Sequence, residues 1–321
     1  MKIIFFGTPD YVVPILDCLN KTFKEKAQPS ITAVVTQGPK PTGRKQILVY
    51  SPVDAWAHKR SIPVFHRPPD LVSSNLEADL GIVAAYGSKI PDSVTKQFPR
   101  GILVIHPSLL PLFRWGSPVQ ATLITGNNTA GGTIIKMDNE FDHGPILARF
   151  KENVLPTDTT ESLRARLFEK SAPVLVEMIP SYLAGKMKVK PQDHSKATYA
   201  RTLKKEDGFI PPEFIEFALR GKGKKKRWTI DFIHDNSHTP LSILPTPEFL
   251  ERFIRAMKPW PTAWTLLRLS ASEGQARRLK ILKAHLDISH QSLVLDEVQL
   301  EGKNPVSWKQ FKEAYPLSSF S

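Results

Sequence analysis

Four short apolar runs, at residues 3–6, 32–36, 81–85 and 102–105, are separated by stretches with helical periodicity at 11–19, 53–60 and 91–98. Runs this brief and continuous suit strands covered on both faces. Strand, helix and strand in succession predict a parallel, doubly wound α/β sheet. In such a sheet ligands bind beyond the carboxyl ends of the strands. The loops after Phe6, Ala85 and Ile105 are therefore the expected place for chemistry.

Two more strands are expected at 132–137 and 146–150, bracketing Asp138 to Gly144, and then an amphipathic helix over 159–183. Thr157, Asp158, Thr159, Thr160 and Glu161 supply cap residues and early acids, and Gly185 is a natural stop. From Lys186 the apolar period fades and lysines accumulate. The expected division is a first domain over 1–185, a basic linker over 186–207 and a small β-rich domain over 208–321. That last part contains a basic insertion near 210–249, and further strands are missing where the sequence is short between Ala284 and Leu293.

The 321 residues carry a formal net charge of +13, which suits a polyanionic partner without specifying one. The one cysteine, Cys18, cannot form an internal disulfide or a Cys-based zinc site, and sits in an apolar helical setting. A reducing compartment fits, and cytoplasmic location is expected. The opening Met1–Gly7 run ends too soon for a signal sequence, and no stretch reaches membrane-spanning length. No His, Asp and Glu spacing calls for a metal.

The densest motif is His106-Pro107-Ser108-Leu109-Leu110-Pro111, directly after a buried strand. A histidine there is placed for proton transfer, since it titrates near neutrality. Alone, one histidine among nine is more often a structural or surface residue than a catalyst. The second motif, Asp138-Asn139-Glu140-Phe141-Asp142-His143-Gly144-Pro145, reads either as a solvated turn or as a turn aiming Asp142 at the sheet edge.

Together with Gly7-Thr8-Pro9-Asp10, Ala84-Ala85-Tyr86-Gly87-Ser88-Lys89-Ile90-Pro91 and Gly132-Thr133-Ile134-Ile135-Lys136-Met137-Asp138, these motifs occur in one order that resembles the methionyl-tRNA formyltransferases, within the folate-dependent formyltransferases. The likeness continues through Ser51-Pro52-Val53, Tyr199-Ala200, Lys205-Glu206-Asp207-Gly208 and Pro259-Trp260-Pro261. It implies a Rossmann-like formyltransferase domain and a C-terminal barrel similar to an OB-fold. It implies 10-formyltetrahydrofolate as co-substrate, bound near Val83, Ala85, Tyr86, Gly87, Ile90 and Asp138 and beside Ser108, Leu109, Leu110 and Pro111. His106 and Asp142 would be catalytic: an amine attacks the formyl carbon and an oxyanion forms. Methionyl-initiator-tRNA would be the acceptor, acted on by a monomer, with Arg44 and Lys45 on the nucleic acid. Lys224, Lys225 and Arg227 lie in a basic run that the family usually lacks and are expected on the phosphates by charge.

One departure bears on the chemistry. The family carries an asparagine two residues before the histidine, where this chain has Val104, which donates no hydrogen bond. Slower turnover, a substitute donor such as Ser108 or a backbone N–H, and loss of catalysis are the three readings. Trp115 replaces the family's usual glycine, and Pro145 follows Gly144 where aspartate is common. An amino-sugar-nucleotide formyltransferase and a catalytically impaired RNA-binding protein are the alternatives. The basic segments and Pro259-Trp260-Pro261 argue against the first, and the folate motifs against the second.

Overall fold

The computed structural model describes residues 1–24, 29–43, 45–221, 226–270 and 275–320. Arg44, Lys224 and Lys225, three of the expected nucleic-acid contacts, lie outside the described residues. The chain forms two compact units. The first comprises Met1–Arg114, Ala130–Glu152 and Arg164–Lys196, and the second Trp115–Thr129, Asn153–Leu163 and Ala197–Ser321. Of the stretch expected as a linker, residues up to Lys196 pack with the first unit and those from Ala197 with the second.

The first unit is built on a seven-stranded sheet in the order Val64–Phe65, Ile31–Val35, Ile3–Gly7, Leu80–Ala84, Ile102–His106, Thr129–Lys136, Ile146–Asn153. The first five are parallel, and Thr129–Lys136 runs antiparallel to Ile102–His106. Every residue of Ile3–Gly7 and Leu80–Ala84 is buried. Both faces of these strands feed a core: Ile3, Phe5, Ile82 and Ile105 share one cluster, and Ile4, Phe6, Val83 and Ile102 another. That two-sided burial explains why the runs lack apolar–polar alternation. Strand order reverses beside Ile3–Gly7, so the loops after Gly7 and Ala84 leave from the switch point of the sheet.

Helices Val13–Thr22 and Pro52–His58 connect these strands, the second capped by the Ser51 hydroxyl, which accepts from Asp54 N. The segment expected as helix over 91–98 shortens to Asp92–Thr95. After the second strand comes a two-stranded ladder, Lys40–Thr42 with Ile47–Val49. Helix Thr160–Leu183 tolerates Pro173 and Pro180 in its interior.

The second unit holds a three-stranded sheet, Tyr199–Ala200, Trp228–His234, Pro240–Ile243, and a five-stranded one, Val306–Ser307, Ser292–Leu300, Arg277–Asp287, Ala263–Arg268, Ser319–Phe320. All described pairings within them are antiparallel. The β-rich expectation is met by two sheets, each with two edge strands among the described residues. Part of the expected insertion is ordinary core: Ile230, Phe232 and Ile233 of Trp228–His234 are buried. Where sequence suggested missing strands near 284–293, Arg277–Asp287 and Ser292–Leu300 form one hairpin.

Candidate active site

His106 is the last residue of strand Ile102–His106 and is buried at the sheet's carboxyl edge. Its Nε2 lies 2.8 Å from the Phe113 carbonyl oxygen, and its Nδ1 lies 3.4 Å from Asp142 Oδ1. A carbonyl only accepts, so Nε2 carries a proton and donates it to Phe113. Nδ1 is left facing the carboxylate, and the pair can hold one further proton between them. The side chains are 6% and 12% exposed, so little water competes for that position. The turn of the acidic loop itself aims the Asp142 carboxylate at the histidine.

Backbone conformation makes this aim sharp. Asp142 has φ 56° and Phe113 φ 55°, both left-handed, where non-glycine residues are uncommon. Such conformations persist where surrounding contacts over-determine them, and they cluster at functional sites.

Thr133 holds the His-Pro-Ser-Leu-Leu-Pro loop. It is fully buried opposite His106 in the neighbouring strand. Its hydroxyl donates to Ser108 O at 2.7 Å and accepts from Leu110 N at 3.1 Å. Arg149 Nη2 donates to the Leu110 carbonyl. Gly131 makes the close approach possible, because a Cβ there would stand 2.2 Å from Phe150 O and 2.4 Å from Leu109 Cδ2. Thr133 belongs to a motif visible in the sequence, but only its bonds to Ser108 O and Leu110 N reveal the role. Leu110 is buried, and Leu109 and Pro111 are half-buried.

Ser108, one candidate substitute for the missing asparagine, has its hydroxyl committed to a backbone carbonyl. Its buried Oγ donates to the Leu112 carbonyl at 2.6 Å. Val104 shares the His106 face of its strand and packs with Leu110, Ile135 and Ile146, an apolar wall.

The end of strand Leu80–Ala84 and the loop beyond it divide their residues between core and surface. Val83, Tyr86 and Ile90 are buried in the cluster around Phe6 and Phe98. Burial pushes the Tyr86 hydroxyl up from its ordinary pKa. Ala85 and Gly87 turn the chain at φ 47° and 79°. Asp138 is exposed and organises its own turn, accepting from Glu140 N at 3.0 Å and from His143 Nδ1 at 2.7 Å.

The remaining expected contacts are dispersed. Lys45 is exposed in the turn of the Lys40–Val49 ladder. Arg227 is exposed and donates through Nε to Ser242 Oγ at 2.9 Å, with Nη2 on the Ser242 carbonyl. Trp115 belongs to the second unit, where its ring lies 4.5 Å from that of Tyr199. Sequence reading missed Arg114, Gln192 and His194, which lie around the Asp142 loop in the first unit. No periodicity or motif marks them, because they meet only through the fold.

A doubly wound sheet with a His–Asp pair at its carboxyl edge, flanked by the turn-rich loop after Ala84, places this chain in the formyl transferase family, and the profile of that family, described as Formyl transferase, matches residues 1–179. A protein named methionyl-tRNA formyltransferase from Chloroflexus aggregans is 37% identical over 274 residues, covering 84% of this chain and 77% of that one. Among solved structures, methionyl-tRNA formyltransferase from Clostridium thermocellum aligns with TM-score 0.55 at 17% identity, covering 94% and 98% of the two chains. An N-formyltransferase from Helicobacter canadensis, solved with folinic acid and dTDP-3-aminofucose, aligns with TM-score 0.59 at 14% identity, covering 89% and 88%. At these identities the two structures support the fold alone.

Among the described residues, no helix is long and apolar enough to cross a membrane, and no group of three or more His, Cys, Asp or Glu is placed to hold a metal ion.

Proposed function

We propose that this chain transfers the formyl group of 10-formyltetrahydrofolate to the amino group of methionyl-initiator-tRNA, as a cytoplasmic enzyme of translation initiation. The observation that carries the reading is the buried pair, His106 Nδ1 3.4 Å from Asp142 Oδ1, within a chain 37% identical to a relative of that name. Coverage of most of both chains supports the tRNA-directed branch over the amino-sugar one.

The neutral amine attacks the formyl carbon, giving a tetrahedral oxyanion. The proton lost by the amine is taken up at the His106–Asp142 pair, and the pair returns it to the folate nitrogen as the carbon–nitrogen bond breaks. His106 is held against Phe113 through Nε2, so its shared proton lies on the Asp142 side. The folate is a substrate here. The loop 83–91 fits it through main-chain groups, since the side chains of Val83, Tyr86 and Ile90 are spent on the core. Ala85, Gly87, Asp138, Leu109, Leu110 and Pro111 would border it, with Lys45 and Arg227 among the contacts to tRNA.

The wall of Leu110, Ile135 and Ile146 around Val104 favours a second reading, a homologue that binds tRNA but turns over slowly. Single-turnover formylation of methionyl-initiator-tRNA separates the two. Product that vanishes with His106→Ala supports the enzyme. Tight tRNA binding without product would leave the binding protein.

A further inference from the structure

The loop carrying Asp142 is tied down from outside. The carbonyls of Asp142 and Gly144 both accept from one amide nitrogen, Gln192 Nε2, at 2.9 and 2.7 Å. Gln192 is delivered by an antiparallel bridge: Ile146 N donates to Lys190 O at 2.8 Å, and Lys190 N to Ile146 O at 2.9 Å. The amide is itself oriented. Arg114 Nη2 lies 2.8 Å from Gln192 Oε1 and 2.7 Å from His194 Nδ1. A guanidinium only donates, so the atom beside it must be the amide oxygen, and both amide protons are left for the two carbonyls. Arg114 and Gln192 are 3% and 6% exposed.

Arg114 directly follows Phe113, whose carbonyl fixes His106 Nε2. One connected set of bonds therefore holds both partners of the His–Asp pair. The histidine is held from Phe113, and the aspartate from Gln192 through Arg114. Asp142 needs such a restraint because its φ of 56° is a sparsely populated conformation.

Resting on the proposed formyl transfer, we propose that Arg114 and Gln192 are positioning residues for that reaction: Arg114 orients the Gln192 amide, and the amide sets the placement of Asp142 against His106. Neither residue touches the reacting atoms. Their effect passes through the backbone of the Asp142 loop.

Gln192→Glu is the sharp variant. It keeps the shape and strengthens the attraction to Arg114, yet it donates nothing to the two carbonyls. If Gln192 served only to hold Arg114, this change would be harmless. Acting through the loop, it should raise amide exchange over residues 138–144 by about ten-fold or more, with the strand Ile3–Gly7 unchanged. It should lower kcat by about 10- to 100-fold, the size seen for outer-shell partners, and leave both KM values nearly unchanged. In an Asp142→Asn background the same change should add little, because its route to the chemistry is gone.

Gln192→Met, neutral and of similar length, removes the donors without adding a charge and gives the same readings should the glutamate variant unfold. Wild-type exchange in the loop with wild-type kcat would overturn the proposal, as would full additivity with Asp142→Asn. Should the unaltered chain formylate nothing, the proposed reaction fails on its own. Loop exchange then still judges the clamp, and unchanged protection in both variants refutes it.

Discussion

A Cβ on Gly144 would stand 1.9 Å from the carbonyl oxygen of Lys136. The two residues close the neck of the Asp142 loop, between the end of strand Thr129–Lys136 and the start of Ile146–Asn153. Backbone that close leaves no room for a methyl group. Gly144→Ala should therefore displace the loop, costing about 1–3 kcal/mol of stability as overpacking does. Turnover should fall by about 100-fold, the price of a reacting group displaced by about 1 Å. Urea unfolding and kcat/KM measured together check this, and wild-type values in both would show that the neck opens freely.

Val104→Asn should separate rate from stability. An amide placed among Leu110, Ile135 and Ile146 enters an apolar wall. Burial of its polar atoms should cost about 1–3 kcal/mol. The same amide restores a donor on the His106 face, where one oxyanion donor is typically worth about 100- to 1000-fold in turnover. The expected variant melts earlier and reacts faster in single turnover. A variant that melts earlier without reacting faster would show that the oxyanion does not form beside this position.

Thr133→Val keeps the side-chain shape and deletes the hydroxyl that bridges Ser108 O and Leu110 N. Both groups are left facing an apolar surface, at a cost of about 1–3 kcal/mol for a buried group without its partner. Turnover should fall with it, because the loop it braces includes Leu110 and follows His106. Denaturant midpoints compared with those of Thr129→Val, at the exposed start of the same strand, isolate the hydroxyl's contribution.

The Asp142 loop should loosen in acid. The His194 ring stacks on His143, with centroids 3.9 Å apart and planes 3° from parallel, and its Nδ1 accepts from Arg114. Desolvation first, then the charges of His143 and Arg114, hold its pKa below the ordinary 6.5. A histidine depressed on folding contributes stability that is present above the unfolded value and lost as pH falls through the folded one. Stability should accordingly decline below about pH 6.5, more in the unaltered chain than in His194→Asn, which keeps an acceptor for Arg114 and does not titrate. Unfolding curves at pH 7.5 and 5.5 give the difference, and parallel declines would place the titration elsewhere.

The parallel sheet was legible because strands covered on both faces cannot hide: Ile3–Gly7 and Leu80–Ala84 are apolar throughout. His106 and Asp142 were legible as motifs, yet their meeting depends on a left-handed turn at Asp142 that many acidic loops could equally lack. The Arg114–Gln192 bond joins residues 78 apart in sequence, and Gln192 sat within a stretch that read as linker. Its position follows from the bridge between Lys190 and Ile146, which only the folded chain forms. The sheets of the second unit were less legible because strand Trp228–His234 lies within what composition marked as a basic insertion.

The Ser108 hydroxyl donates to Leu112 O, and both ring nitrogens of His106 face oxygens of other residues. To carry the formyl group itself, Ser108 would have to give up the bond it donates to Leu112 O. The one hydroxyl of the His-Pro-Ser-Leu-Leu-Pro loop is thus a brace, and we expect no formyl-enzyme ester on it. Donor and acceptor must then occupy the protein together. Initial-rate lines for the two substrates should intersect where a relay would make them parallel, and the protein given the folate alone should release no deformylated product until the amine arrives.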